Sequence, residues 1–238
     1  MTNAVIIGGS GAIGQAFTRE LVKREETISL SVISRKQPDD QQPGVRYHTL
    51  DYLDEASLEQ AAIHTAEHGP LDKVIVCTGL LHGDGISPEK SLANLSAEQL
   101  LRVYEINTVI PALMAKYFAP RLNKAQRSVF ACLSARVGSI SDNRMGGWYA
   151  YRASKAALNM ILKNTAIEVR RTNKNAVVLG LHPGTVDSPL SKPFQANVPA
   201  GHLFQPGYAA SHLLDVLDKA TPDQTGQCLA YDGEEIQP

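Results

Sequence analysis

Cysteine is scarce in this chain. Cys77, Cys132 and Cys228 are the three among 238 residues, each inside a short apolar segment and none in C-x-x-C spacing. An odd, scattered set of that kind excludes a disulfide framework and a thiolate zinc site, so the three read as buried thiols. His64 and His68 stand four residues apart, but the ligand set stops there, and a solvated helix face accounts for them; no metal is expected. No apolar run approaches the roughly 18–20 residues of a membrane span. The chain enters patterned sequence at once, Met1-Thr2-Asn3-Ala4-Val5-Ile6-Ile7-Gly8, without a basic leader, so a cytoplasmic protein with no membrane contact is expected. An excess of charge is lacking too: 23 Lys and Arg against 24 Asp and Glu leave no field to attract nucleic acid.

What the chain does have is apolar residues enough for a full core, 43% of the total against 20% charged, which excludes intrinsic disorder. Its length suits one large domain over residues 1–238. Short runs rich in Val and Ile, near 4–7, 28–34, 45–50, 72–78, 127–134, 176–182 and 227–231, alternate with helical patterns near 13–24, 55–67, 97–122, 149–171 and 207–219. That alternation predicts an α/β fold: a single-domain, Rossmann-like, doubly wound parallel sheet of about seven strands with helices on both faces. Residues 187–207 carry Pro189, Pro193, Pro199 and Pro206 without clean periodicity, and read as a long loop or substrate lid.

The first predicted strand runs into Gly8-Gly9-Ser10-Gly11-Ala12-Ile13-Gly14 and then into a helical pattern. There a glycine-rich turn lets backbone N–H groups meet a pyrophosphate at a helix N-terminus. A literal G-x-G-x-x-G stands as Gly9, Gly11 and Gly14. Small residues also serve tight turns for packing alone, and it is the place after strand one that favours a dinucleotide. About 20 residues further on, where an NAD site places a carboxylate for the ribose 2′-hydroxyl, the chain has Ser34, Arg35 and Lys36. Two cations and a hydroxyl suit a 2′-phosphate, hence NADP rather than NAD; the alternative is an exposed basic strand end.

Tyr151-Arg152-Ala153-Ser154-Lys155 opens an Ala-rich helix, with the phenol and the ammonium one turn apart on one face. A free phenol with pKa near 10 exchanges protons poorly at neutral pH. An adjacent Lys and a positive nicotinamide ring are expected to lower it. By itself the pair also fits a surface helix with an aromatic anchor.

Taken together, the glycine turn, Asn107 after strand four, Tyr151 with Lys155, and Pro183-Gly184 after strand six resemble the short-chain dehydrogenase/reductase family across essentially the whole chain. Gly138-Ser139-Ile140 with Asp142-Asn143, and Gly146-Gly147 through Arg152, resemble the subgroup that holds bacterial C-factor and sniffer-type carbonyl reductases. The resemblance implies Tyr151 as general acid, Lys155 as the group that lowers its pKa and holds the nicotinamide ribose, and Asn107 as the holder of a relay water. The sequence adds a reason for the last: Pro111, four residues on, has no N–H for the Asn107 carbonyl. By the same resemblance Asp51 accepts from the adenine amino group with the Tyr52 backbone beside it. Thr78 and Gly79 pass the adenine ribose, and Pro183, Gly184, Thr185 and Val186 meet the carboxamide, with Ser188 where the family often has Thr.

Two departures stand out. The family's G-x-x-x-G-x-G turn appears as Gly8, Ala12 and Gly14, with a methyl group at the middle position. In Ser134-Ala135-Arg136-Val137-Gly138, Ala135 takes the place of the serine that polarises the substrate carbonyl. Ser134 is the nearest hydroxyl and Ser139 a second candidate, although residue 134 alternates to the other side of an extended strand. The reading that follows is an NADPH-dependent oxidoreductase for a small-molecule carbonyl or alcohol substrate, with no nucleic-acid partner. The alternative is a dinucleotide-binding regulatory or signalling protein. Trp148, Met145, Leu190, Phe194 and Phe204 are candidates for an apolar pocket or for lid anchors. The resemblance also implies a homodimer or homotetramer through the helices near 97–122 and 149–171, where Ala153, Ala156 and Ala157 allow close approach.

Overall fold

The computed structural model describes residues 2–24, 27–83 and 85–238. The chain alternates strand and helix as its periodicity predicts. Strand β1 (Thr2–Ile7) leads to helix α1 (Ala12–Lys23), and β2 (Thr27–Ser34) and β3 (Arg46–Thr49) follow, with α2 (Glu55–Thr65) and β4 (Lys73–Val76) after them. Helices α3 (Ala97–Tyr104) and α4 (Ile110–Phe118) precede β5 (Ser128–Leu133), then α5 (Tyr149–Arg170) and β6 (Ala176–His182). Two short strands, β7 (Thr185–Val186) and β8 (Leu203–Phe204), pair with each other before α6 (Pro206–Lys219) and the last strand, β9 (Cys228–Ala230).

Seven strands form one sheet in the order β3-β2-β1-β4-β5-β6-β9, every neighbouring pair parallel. Parallel strands need crossovers, and the crossovers cover both faces, so the central strands β1, β4, β5 and β6 are apolar on both sides. Alternate residues divide between two cores. Val5, Ile7, Val74, Val76, Phe130 and Val178 face α2, α4 and α5, represented by Leu58, Met114, Phe118, Leu158 and Leu162. Ala4, Ile6, Ile75, Val129, Ala131 and Leu179 face α1 and α6, with Phe17, Leu21, Leu213 and Leu217. The chain leaves β1 toward β2 and β3, then crosses back to β4 on β1's other side. Such a reversal opens a crevice at the carboxyl ends of the strands.

One expectation needs correcting. The apolar period predicts a continuous helix over 97–122, but a π-helical segment, Glu105–Val109, separates α3 from α4, and a 3₁₀ turn, Ala119–Arg121, follows α4. Ile110 N–H reaches five residues back to the Glu105 carbonyl. Pro111 supplies the cause: without an N–H and with a ring that crowds the preceding turn, it forces the helix to widen there.

Candidate active site

The turn after β1 is shaped by contacts that exclude side chains. Gly8 lies at φ +85°, and a Cβ there would come within 3.0 Å of the Cys77 carbonyl carbon across the crevice. At Gly14 a Cβ would sit 2.4 Å from the Gly8 carbonyl oxygen, so the first turn of α1 rests directly on the glycine loop. Gly11 occupies the N-cap, and no side chain caps α1 and no acid stands in its first turn, so the N-terminal amides keep their donors and the dipole its positive end. Ser10 and Gly11 are exposed, and Ala12 and Ile13 half-buried, beside those donors. Across the crevice, the Thr78 hydroxyl oxygen is buried without a hydrogen-bond partner among the described residues. An open helix end, a cradle that a Cβ would fill and an orphaned hydroxyl fit a dinucleotide phosphate and ribose.

At the end of β2, Arg35 and Lys36 are exposed, whereas Ser34 is buried and its hydroxyl donates to the Lys36 carbonyl at 2.6 Å. Ser34 therefore shapes this corner rather than offering a free donor. Asp51 is exposed, one carboxylate oxygen accepting from Leu53 N–H at 3.0 Å. Tyr52 contributes more than backbone: its buried phenol accepts from Gly8 N–H at 3.1 Å and donates to the Ile33 carbonyl at 3.2 Å, bracing the glycine loop against β2. Burial raises its pKa above the ordinary phenol value.

Helix α5 carries the candidate dyad. Ala150, Ser154, Leu158, Leu162 and Ala166 form its buried stripe at i,i+4 spacing, and Lys155 is buried beside that stripe, only 2% exposed. Asn107, fully buried in the π segment, ties three pieces together. Its amide oxygen accepts from Leu80 N–H at 2.7 Å, and its amide nitrogen donates to the Leu80 carbonyl at 2.9 Å and to the Ser154 hydroxyl at 3.0 Å. Ser154 in turn donates to the Tyr151 carbonyl at 2.8 Å. Lys155 donates to the Leu133 carbonyl at 2.8 Å, and its ammonium lies 5.9 Å from the centre of the Tyr151 ring. A Cβ on Gly79 would fall 3.8 Å from Asn107 Oδ1 and 3.9 Å from Lys155 Nζ, so the crevice and the dyad share one space.

The expected lowering of the Tyr151 pKa by Lys155 is not what the chain alone produces. Burial dominates, raising the phenol to about 12 and lowering the ammonium to about 8. Removal of either charged form from water is the largest cause of each shift.

Beside Tyr151 lies a cavity of about 230 Å³ whose walls include Trp148, Phe194, Leu81 and Leu190, and no charged side chain stands among its described lining residues. Met145 is 90% exposed and outside it, and Phe204 packs instead on Tyr208, Tyr231 and the face of Gly184. Pro183, Gly184 (φ +73°), Val186 and Ser188 line the cavity from the end of β6.

Ser134 and Ala135 both reach the cavity wall, but Ser134 donates its hydroxyl to Asn159 Oδ1 on α5 at 2.6 Å. Ser139 is buried away from the cavity, accepting from Asp142 N–H at 3.1 Å. Two further residues were not visible in the sequence. His182 lines the cavity, and its Nδ1 is buried without a partner among the described residues; burial lowers its pKa to about 4, leaving the ring neutral at physiological pH. Its place directly before Pro183-Gly184 was the available signal. Glu89, 2% exposed, reaches the start of α5.

These features assemble into a dinucleotide crevice joined to a Tyr–Lys pair and an apolar cavity. The short chain dehydrogenase family model matches residues 2–199, and the chain belongs to that family of oxidoreductases. Among its relatives, a 1-hydroxy-2-glutathionyl-2-methyl-3-butene dehydrogenase of Rhodococcus sp. (strain AD45) is 30% identical over 240 residues, covering 100% of both chains. Among solved structures, the carbonyl reductase Sniffer of D. melanogaster superposes with a TM-score of 0.86 at 19% identity, covering 100% of both chains. An NADPH-bound carbonyl reductase from chicken fatty liver has a TM-score of 0.84 at 22% identity, covering 100% of this chain and 94% of the other.

Proposed function

We propose that the protein is an NADP-dependent oxidoreductase that interconverts a small uncharged carbonyl compound and its alcohol. The observation that carries this reading is the meeting of Tyr151, Lys155 and Asn107 with the dinucleotide crevice and the charge-free cavity. The amides of Gly8–Gly14 would hold the pyrophosphate, Thr78 and Gly79 the ribose, and Asp51 the adenine. Arg35 and Lys36 would hold the 2′-phosphate, and residues 183–188 the carboxamide. When bound, the cofactor supplies or accepts hydride at the nicotinamide ring.

The chain's own residues manage the proton. On reduction Tyr151 donates its hydroxyl proton to the carbonyl oxygen as hydride reaches the carbonyl carbon, and on oxidation the phenolate takes it back. Burial at about 12 keeps the free enzyme's phenol protonated, ready to act as acid. Lys155 would hold the ribose hydroxyls, and its ammonium beside the phenol would favour the phenolate that the reverse transfer needs. Asn107 keeps the π segment, the β4 loop and α5 in fixed relation, and its carbonyl, deprived of a donor by Pro111, is the place for the relay water.

Residues 187–207 form the lid, with Phe194 packed on Trp148 at 4.9 Å. Exposed Leu101, Val109, Met160 and Ile167 on the α3–α4 and α5 faces favour a homodimer or homotetramer. The test is single-turnover oxidation of NADPH by a panel of uncharged ketones and aldehydes. Tyr151→Phe should remove turnover while NADPH affinity stays within about threefold, since the phenol is asked for a proton and not for binding. A Tyr151→Phe protein that reduces carbonyls at the parent rate overturns the reading.

A further inference from the structure

The catalytic helix begins abnormally. Its N-cap, Trp148, has no side-chain oxygen to serve the first amides of α5, and it sits in the left-handed region at φ 51°, ψ 44°. It is the one non-glycine residue with positive φ among the described residues, and it follows Gly146 and Gly147, both at φ 64°. A tryptophan adopts that conformation only when its surroundings over-determine it.

The surroundings are supplied by Glu89, in the segment between β4 and α3. Its carbonyl accepts from Trp148 N–H at 2.6 Å. One carboxylate oxygen accepts from Ala150 N–H at 3.2 Å, the second helical position, where an N-cap side chain ordinarily bonds. The other accepts from the Gln99 side-chain amide at 2.7 Å. Gln99 also pairs with the backbone of Ser87, accepting from its N–H at 3.3 Å and donating to its carbonyl at 2.8 Å. Helix α3 thus fixes a short template on which α5 starts. The Trp148 ring then lies 6.2 Å from the Tyr151 ring and 4.9 Å from that of Phe194, forming one wall of the cavity.

We propose that Glu89 is a positioning residue for the reaction: it caps α5 in place of an N-cap side chain and holds the left-handed Trp148, thereby setting both the indole wall of the cavity and the place of the Tyr151 phenol. Its effect on turnover rests on the role given to Tyr151 above; its effect on the indole does not. Trp148 is the only tryptophan in the chain, so intrinsic fluorescence reads the proposed device directly.

Glu89→Ala should shift Trp148 emission to longer wavelength and raise its quenching by acrylamide. It should lower kcat by about tenfold to a hundredfold, the loss typical of a slightly misplaced reacting group, and leave the NADPH Kd within about threefold. Glu89→Gln keeps an oxygen to accept from Ala150 N–H and gives up only the contact with the Gln99 amide, so it should stay nearer the parent than Glu89→Ala in both fluorescence and kcat. A folded Glu89→Ala protein with unchanged quenching and kcat overturns the proposal, as does a Glu89→Gln protein as impaired as Glu89→Ala. Where Glu89→Ala does not fold, Gln99→Ala and Glu89→Gln decide by the same two readouts. Retained turnover in Tyr151→Phe would overturn the catalytic reading and leave the fluorescence result standing as the test of Glu89.

Discussion

Placing a hydroxyl at position 135 should make this a faster enzyme. Ala135 lines the cavity beside Tyr151, and its backbone, at φ −156° and ψ 147°, is ordinary extended chain that serine adopts without strain. Removing one donor to a developing oxyanion costs roughly 2.7–4 kcal/mol, about a hundredfold to a thousandfold in rate, where the donor is well aimed. An added serine without its own supporting contacts should recover part of that, a gain in kcat/KM of at least about tenfold, or ~1.4 kcal/mol. The companion variant is Ser134→Ala. Its hydroxyl is committed to Asn159 at 2.6 Å, so removal should leave a donor-deprived amide oxygen and cost about 1–3 kcal/mol of stability while kcat changes little. Steady-state reduction of a series of small ketones, with urea unfolding of each variant, measures both effects. A hundredfold loss in Ser134→Ala without any gain in Ala135→Ser would refute the reasoning, because it would mean that Ser134 leaves Asn159 to polarise the substrate.

Three further outcomes are expected. Arg35→Asp should reverse the cofactor order measured by calorimetry, from NADPH at least about tenfold tighter than NADH to NADH tighter, since one charge-assisted contact is worth ~1.5–3 kcal/mol; equal affinities in the parent protein would remove the assignment. Because burial lowers Lys155 to about 8, the unfolded chain holds this proton more tightly between that value and the ordinary lysine range, so stability gains with rising pH there. The stability of the parent relative to Lys155→Met should therefore climb from pH 8 upward, and a flat difference in urea unfolding would contradict it. Gly14→Ala should cost about 1–3 kcal/mol and weaken dinucleotide binding, because its Cβ would meet the Gly8 carbonyl oxygen at 2.4 Å and backbone on both sides leaves no room to give. Unchanged melting and unchanged NADPH affinity would count against the turn as drawn.

Where local sequence carries the physics, the sequence was legible. Each of the seven strands of the main sheet falls on a predicted strand, most plainly the central β1, β4, β5 and β6, because a strand covered on both faces must be apolar at nearly every position, whereas the edge strand β3 is polar. Tyr151 and Lys155 stood out because a phenol and an ammonium one turn apart share one face at the start of an Ala-rich helix. The break at Glu105–Val109 was obscured because apolar spacing continues through it, and only Pro111 marked it. Strands β7 and β8 are too short to have a period and exist because they meet each other. Glu89 could not be found from the sequence: Pro88-Glu89-Lys90 reads as solvated charge, and its burial follows from where α3 and α5 place their ends. The upward pull of burial on the Tyr151 phenol was not legible for a related reason, since adjacency in a helix shows the charge but not the water removed around it.

The pairing of β7 with β8 has a consequence for how such a protein can change. Thr185 meets Leu203 and Val186 meets Phe204, so residues 187–202 leave and return at one hydrogen-bonded clasp. That stretch is a handle closed at its base, and lengthening a closed handle costs free energy only with the logarithm of its length, about 0.6 kcal/mol per doubling. A different insert could be spliced between Ser188 and Leu203 with the clasp, the sheet and the dinucleotide crevice left as they are. The wall formed by Leu190 and Phe194 is thus exchangeable as a cassette, whereas the Trp148 wall belongs to the start of the catalytic helix and is inherited with it.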